Sequence, residues 1–448
     1  MKARIVKSKD IHDVLRFDGS YHNAEVNVYD NVIKQHSRNL LSYYCSDIFT
    51  SGRNKRIYTS KSYGVPFLSN SDVVAANPFM SCKYSSKKYG FDKSAVLREG
   101  MILTGRVGAI GQVAFVPSYL EKAQAMGSDN IIRIVVKPQY RNGFIYAYLA
   151  SKIGNLSFWK HATGGVQPFI TDAMVGKLPI PDFPEDFQKE VSDLIQESAR
   201  LREESTDALK EAVSIIEVEI GPSNVNLRHN CARISSKAIF SKFHRFDSQF
   251  QIGKSQITRH PQSIKIGSVA SKIFIGNRGK RNYVDGGIPF LSSSDMMLAN
   301  PQRFCKFISK NSPSLTDMIV KNRDILISRS GTVGNTTIVG ENLAGVAVSE
   351  HAMRLVIDSS KISPEYVFAY FMTEHGHDAL QILPYGSVII TLGEDFLADV
   401  DLPIIDKDLM EKTTKLVSKY IEMRDKSIEK ENLAISMVEH EIEKWNKN

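Results

Sequence analysis

Cysteine is scarce, with only Cys45, Cys82, Cys231 and Cys305 among 448 residues. They are far apart and include no CxxC pair, which leaves neither a zinc-ribbon pattern nor enough bridges to staple a chain this long. Reduced thiols in a cytoplasmic protein are the expectation. No uncharged apolar run of about 18 residues occurs, and MKARIVKSKD has no apolar stretch behind its charges. A secreted or membrane-spanning chain is therefore disfavoured.

Catalytic signatures are missing as well. The sequence has no GxxxxGK[ST], HExxH, GxSxG or strand-led GxGxxG. Gly105, Gly108 and Gly111 form GxxGxxG, but a second occurrence replaces the first glycine with Ser328, so a tight turn between strands is expected rather than a cofactor loop. Ala76-Asn77-Pro78-Phe79 lacks the second proline of the Asn-Pro-Pro-aromatic motif of amino-methyltransferases. The eleven histidines form no repeated cluster with carboxylates. The expectation is no catalytic residue, no metal site and no cofactor.

What the chain does contain is ordinary globular material, 42% hydrophobic and 24% charged, and no compositional sign of disorder. Its length exceeds one ordinary core and suggests two to four domains. The 57 basic and 49 acidic residues leave +8, a modest lean toward an anionic partner.

The organising feature is a tandem repeat. GVPFLSNSDVVAANP from Gly64 returns as GIPFLSSSDMMLANP from Gly287, and LREGMILTGRVGAIGQ from Leu97 returns as VKNRDILISRSGTVGN from Val320. The second pair superimposes Arg106 on Arg329. IFTSGRNKRIY maps onto IFIGNRGKRNY, Arg16-Phe17-Asp18 onto Arg245-Phe246-Asp247, and Arg133 onto Arg354. Repeats this long are domains rather than solenoid units.

Within each copy, short β-type runs (Met101 to Thr104, Val113 to Val116, Ile131 to Val136; Asp324 to Ser328, Thr336 to Val339, Met353 to Ile357) predict a mixed domain with a substantial sheet. Arg141 to Ser151 and Pro364 to Thr373 read as helices, with Tyr146 and Tyr148 in the core. Each copy then ends in a long stretch without proline or glycine. In the first, Val191, Leu194, Leu201, Ala208 and Ile215 take heptad seam positions, with small serines between them; in the second, Ile421, Ile428, Ile435 and Ile442 keep a seven-residue spacing. The two helices are expected to pair as an antiparallel coiled coil, and the first, at about 1.5 Å per residue, suits a spacer about as long as one to one and a half DNA turns.

The predicted fold is α+β: a pseudo-twofold repeat of two mixed α/β domains, each followed by its helix. The expected bounds are 1–183, 184–222, 223–405 and 406–448.

Polar chemistry recurs beside the glycine turns. Arg53, Lys55, Arg56 and Tyr58, like Arg278, Lys280, Arg281 and Tyr283, put three cations and an aromatic on a loop that could neutralise phosphates or reach guanine. Ser69, Asn70 and Ser71 before Asp72, and Ser292, Ser293 and Ser294 before Asp295, could contact nucleic acid or cap a turn or helix. Arg106 and Arg329 end apolar strands, where each could face DNA or be locked in an ion pair.

In order and duplication, these pieces resemble the DNA-specificity (S) subunits of type I restriction-modification systems. The matching segments in each half are the IFTSGR or IFIGNR loop, G-[VI]-P-F-L…D, [GD]-[MI]-[IL]-L…R-x-G-x-x-G, the L-P-I stretch and the closing heptad helix. The resemblance spans nearly the whole chain. It implies two target-recognition domains, each reading half of a bipartite double-stranded DNA target. The helices would set the gap and bind two methyltransferase (M) subunits, with restriction (R) subunits joining. Such a subunit catalyses nothing itself; S-adenosylmethionine, ATP and magnesium would belong to its partners. The tryptophan that often opens each recognition domain is absent near Leu41 and Ile264, and each copy begins with an extra segment around its Arg-Phe-Asp. Those openings also resemble specificity subunits of type IIB systems. The competing readings are a self-sufficient DNA-modifying enzyme and a protein-binding coiled-coil scaffold.

Overall fold

The computed structural model describes all residues except 1–4, 9–10, 12–15, 18, 20, 23, 54, 226–232, 241, 258 and 446–448, so Asp18 and Cys231 lie outside the described residues. The chain forms two compact units, residues 1–203 with 426–448, and residues 204–425.

The first unit contains β1 (Cys45–Thr50), β2 (Tyr58–Thr59), β3 (Gly64–Leu68), β4 (Lys83–Ser86), β5 (Ile102–Gly105), β6 (Val113–Phe115), β7 (Met126–Gly127) and β8 (Ile131–Val136). The second contains β9 (Ala270–Ile275), β10 (Tyr283–Val284), β11 (Ile288–Leu291), β12 (Lys306–Ile308), β13 (Ile325–Ser328), β14 (Thr336–Ile338), β15 (Ala347–Val348) and β16 (Ala352–Ile357). Each unit has two four-stranded sheets: β1-β8-β5-β6 and β2-β4-β3-β7 in the first, β9-β16-β13-β14 and β10-β12-β11-β15 in the second. Strand order is thus the same in both. Even the irregularities recur, with one parallel pair in each unit (β3 with β7, β11 with β15) and a register shift between Cys45 and Asp47 in β1 and between Ala270 and Lys272 in β9.

The apolar run Ile131-Ile132-Arg133-Ile134 makes a central strand because both of its faces are covered. Ile132 and Ile134 pack into a core with helical residues such as Phe144 and Tyr148, while Ile131 joins Leu68, Leu97 and Leu103 on the opposite side. Strand alternation divides Leu355 and Ala352 of β16 between two cores in the same way.

The helices that matter here are α1 (Asn142–Ala150), α2 (Lys152–His161), α3 (Glu185–Ile220), α4 (Pro364–Met372), α5 (Glu374–Ile382) and α6 (Lys407–Trp445). Tyr146 and Tyr148 are buried, as their spacing predicts. Among the described residues no helix is long and apolar enough to cross a membrane.

In the first unit α3 and α6 run antiparallel. Phe183, just before α3, stacks on Trp445 at the end of α6 at 4.6 Å, while Ser198 and Ser427 each donate a hydroxyl to the other's backbone carbonyl at 2.8 and 2.9 Å. The second unit repeats the arrangement: Ser205 donates to the Tyr420 carbonyl at 2.9 Å and Glu211 meets Lys412 at 2.9 Å. Small residues let the backbones approach this closely. Ile421, Ile428, Ile435 and Ile442 are all buried, as are Val191, Leu201 and Ala208; each such isoleucine contributes about 2 kcal/mol of apolar burial. Leu194 and Ile215 depart from the heptad frame. They are half-buried, and Ile195 and Ile216, one position on, go under instead. The first shift has a visible cause, because α3 packs on the domain as well as on α6: a Cβ on Gly143 of α1 would sit 2.8 Å from the Ser192 backbone. The buried face is therefore wider than a two-helix seam requires.

Candidate nucleic-acid interface

The site is built outward from a buried arginine. Arg133 lies opposite Phe49 and Leu103 in the sheet, and Arg354 opposite Phe274 and Leu326. Arg133 makes no ion pair among the described residues. Its guanidinium donates instead to the carbonyls of Ser128 (3.2 Å), Ile131 (2.7 Å), Ala95 (3.3 Å) and Gly127 (2.6 Å). Arg354 donates to the carbonyls of Ile319 (2.8 Å) and Asp317. Burial pushes Arg133 down to about 10 and Arg354 in the same direction, since desolvation disfavours the charged form. In the first unit these bonds pin the 127–131 turn.

That turn presents Asp129 to the cation loop. Arg53 reaches its carboxylate at 3.3 Å and Arg56 at 2.5 Å. In the second unit Glu350 plays the same part, paired with Arg278 at 3.6 Å and with Arg281. The hydrogen bond to Asp129 raises the Arg56 pKa above its ordinary value. Arg56 also lies over the Phe67 ring at 5.6 Å and Arg281 over Phe290 at 4.8 Å. Arg56 and Arg281 are therefore clamped, so the three cations of each loop are not equivalent. Arg53 and Arg278 remain 85% and 86% exposed at the outer side of the clamp. Lys55 and Lys280 are exposed and have no ion-pair partner among the described residues. Tyr58 and Tyr283, also exposed, lie under Lys83 and Lys306 at 4.9 and 5.2 Å.

The serine segments take the capping alternative. Asp72 accepts from the Ser69 backbone N–H (2.8 Å) and hydroxyl (2.6 Å), and Asp295 does the same for Ser292 (2.9 and 2.7 Å). Ser71 and Ser294 are hydrogen-bonded to those capping hydroxyls at 2.9 Å. Asn70 donates to the Val107 carbonyl at 2.9 Å, tying this loop to the glycine loop, and its own carbonyl oxygen is buried without a partner. Ser293 is half-buried.

Arg106 and Arg329 are half-buried, and the ion-pair alternative finds no partner among the described residues. The Arg329 Nε is buried without a hydrogen-bond acceptor. Their backbones are fixed on both sides: Arg106 N–H donates to Asn130 and Arg329 N–H to His351, while their carbonyls accept from Ile170 and Leu392, all at 2.8–2.9 Å. Gly108, Gly111, Gly331 and Gly334, each at positive φ, turn the chain between β5 and β6 and between β13 and β14.

Two features escape sequence reasoning. One is the acid at Asp129 and Glu350, although Ser128-Asp129-x-x-x-Arg133 does recur as Ser349-Glu350-x-x-x-Arg354. The other is a small hairpin beside Arg106 and Arg329. Thr163 and Phe169 exchange backbone hydrogen bonds at 2.9 and 2.7 Å, and Tyr385 and Thr391 at 2.9 and 2.8 Å. The repeated Arg-Phe-Asp arginines hold the hairpin roots. Arg16 donates to the carbonyls of Lys160 and Ala162 (3.1 and 2.6 Å), and Arg245 to those of Leu383 and Pro384 (2.6 and 2.8 Å). Among the described residues no three His, Cys, Asp or Glu side chains converge as metal ligands.

No family model matches the chain, and no curated protein does. Among solved structures, the chain is similar to type I specificity subunits along about nine-tenths of its length. The HsdS subunit from Thermoanaerobacter tengcongensis aligns at 15% identity and a TM-score of 0.29, over 89% of this chain and 94% of that one. The type I restriction-modification S subunit from M. genitalium aligns at 13% and 0.28, over 91% and 94%. The type IIG restriction endonuclease BpuSI covers 42% of this chain and 30% of its own, at 11% and 0.30.

Proposed function

We propose that the chain is the DNA sequence-specificity subunit of a type I restriction-modification complex. Each unit reads one half of a bipartite duplex target, and the long helices set the gap and receive two methyltransferase subunits, with restriction subunits joining the assembly in the cytoplasm. The chain itself performs no chemistry; S-adenosylmethionine, ATP and magnesium belong to the partners. One observation carries this reading: the same edge, with a carboxylate-clamped arginine pair and, beside a glycine turn, a lysine and an arginine that have no ion-pair partner among the described residues, occurs once in each unit. A duplicated cationic edge suits a ligand with phosphates at two places.

The test is selection from a random duplex library with the full chain and its methyltransferase. Two short motifs with a fixed gap are expected, and Arg278→Ala with Lys280→Ala should erase preference in one motif only. Equal loss in both motifs removes the assignment of that loop to one half-site. Methyl transfer by the chain alone would replace this reading with that of a self-sufficient enzyme.

A further inference from the structure

The matched hairpins end in apolar side chains that are left exposed among the described residues of their own unit. Val166 is 103% exposed at the tip of the first, and Val388, Ile389 and Ile390 are 92%, 72% and 52% exposed in the second. Neither is a loose loop. Each is closed by paired backbone hydrogen bonds and gripped at its root by Arg16 or Arg245. The bends depend on Gly164 (φ +102°) and Gly386 (φ +111°), where a Cβ would come within 2.7 Å of the Gln167 carbonyl oxygen or 2.5 Å of that of Ile389. The protein therefore holds exposed aliphatic groups at fixed positions in both units.

The surroundings indicate what those groups meet. Residues 162–170 and 383–393 contain no charged side chain, so nothing on the hairpin repels phosphate. The hairpin is bonded through Ile170 to Arg106, Arg106 through its N–H to Asn130, and the adjacent Asp129 holds Arg53 and Arg56. In the second unit the same path runs from Leu392 through Arg329 to His351, beside Glu350 with Arg278 and Arg281. An uncharged apolar tip on a cationic edge matches a nucleic acid groove, where phosphates flank apolar base surface such as the thymine methyl. Valine and isoleucine have nothing to offer a phosphate.

We infer that the two hairpins are apolar base-contacting fingers, Val166 in one unit and Val388, Ile389 and Ile390 in the other, entering the duplex groove while neighbouring cations hold the backbone. This deepens the DNA-binding reading and rests on it.

The test uses the full chain, Val166→Ser, and the triple variant Val388→Ser, Ile389→Ser, Ile390→Ser. Binding to the duplex enriched by the wild type is measured by anisotropy from about 50 to 200 mM salt, a range in which phosphate contacts dominate the slope. Each variant is expected to bind about tenfold more weakly, the loss typical of one spoiled base pair, with the salt slope unchanged. In a repeated selection each should lose sequence preference in one half-site. Because the tips are exposed, thermal unfolding should match the wild type. Unchanged affinity and unchanged preference would overturn the inference, including the case in which the variants lose a protein partner instead. A shallower salt slope would place the tips on phosphates and overturn it too. If the wild type enriches no duplex at all, the DNA reading itself fails.

Discussion

The edges of the two units share their supports and differ at their tips. Both clamp an arginine pair on one carboxylate, both bury an arginine beneath an adjoining turn, and both root a hairpin on a second arginine. The carboxylate, however, is Asp129 followed by Asn130 in one and Glu350 followed by His351 in the other, and the hairpin tips read Gly-Gly-Val-Gln and Gly-Ser-Val-Ile-Ile. Side chains that carry backbone geometry are duplicated. At the hairpin tips the outward-facing side chains differ, whereas the exposed cations of the loop recur as Arg53 with Arg278 and Lys55 with Lys280; on the proposed reading, the tips are where two half-sites would be told apart.

The sharpest way to break this comparison is to remove the buried arginines. Arg133→Ala should remove four hydrogen bonds to carbonyls and cost about 3 to 5 kcal/mol, against roughly 1 to 3 kcal/mol for Arg354→Ala, which removes two. Urea unfolding of the full chain would read both, and equal losses would mean that the carbonyl bonds are not what stabilises the turns. Next come Lys55→Ala and Lys280→Ala. Each should lower the slope of log affinity against log salt by about 1, whereas Arg56→Ala, whose charge is already engaged by Asp129, should change it less. Asp129→Asn and Glu350→Gln should act in the opposite direction, releasing the arginines and tightening non-specific duplex binding roughly two- to fivefold at low salt. Weaker binding would show that the clamp is needed to present the loop.

The smallest expected effect is on stability in acid. Burial holds His161 in the first unit and His377 in the second below the ordinary 6.5. With a folded pKa below the unfolded one, the unfolded chain binds more protons as the pH drops, so the stabilisation is complete above about 6.5 and lost as pH falls beneath it. Melting temperature followed from pH 7 to 5 should drop less in His161→Gln with His377→Gln than in the wild type. Parallel curves would remove these histidines as the cause.

Much of the architecture is legible from periodicity. The runs around Ile132 and Leu355 are too apolar for a surface strand, and the stretches without proline or glycine leave little but α3 and α6. The seam was legible only to within one residue at Leu194 and Ile215; at Leu194 the reason is that a heptad frame assumes a single partner while α3 also packs on α1 beside Ser192. At the site, Arg53, Arg56, Arg278 and Arg281 were visible as repeated cations, but their clamping was not. Asp129 and Glu350 each sit in an ordinary turn at the head of a strand, and only the fold brings those turns to the loop. The hairpins were harder still: they contain no residue type that announces chemistry, and their meaning comes from exposure, which a sequence does not display.

Arg133 has one last consequence. Its pKa near 10 leaves it protonated at neutral pH, so the first unit carries an elementary charge inside its wall, in a medium that screens far less than water. Every outward-facing residue of that edge could be exchanged and this charge would remain. On the proposed reading, a framework that keeps this charge lets the outward-facing residues change without removing all of the edge's attraction for a polyanion.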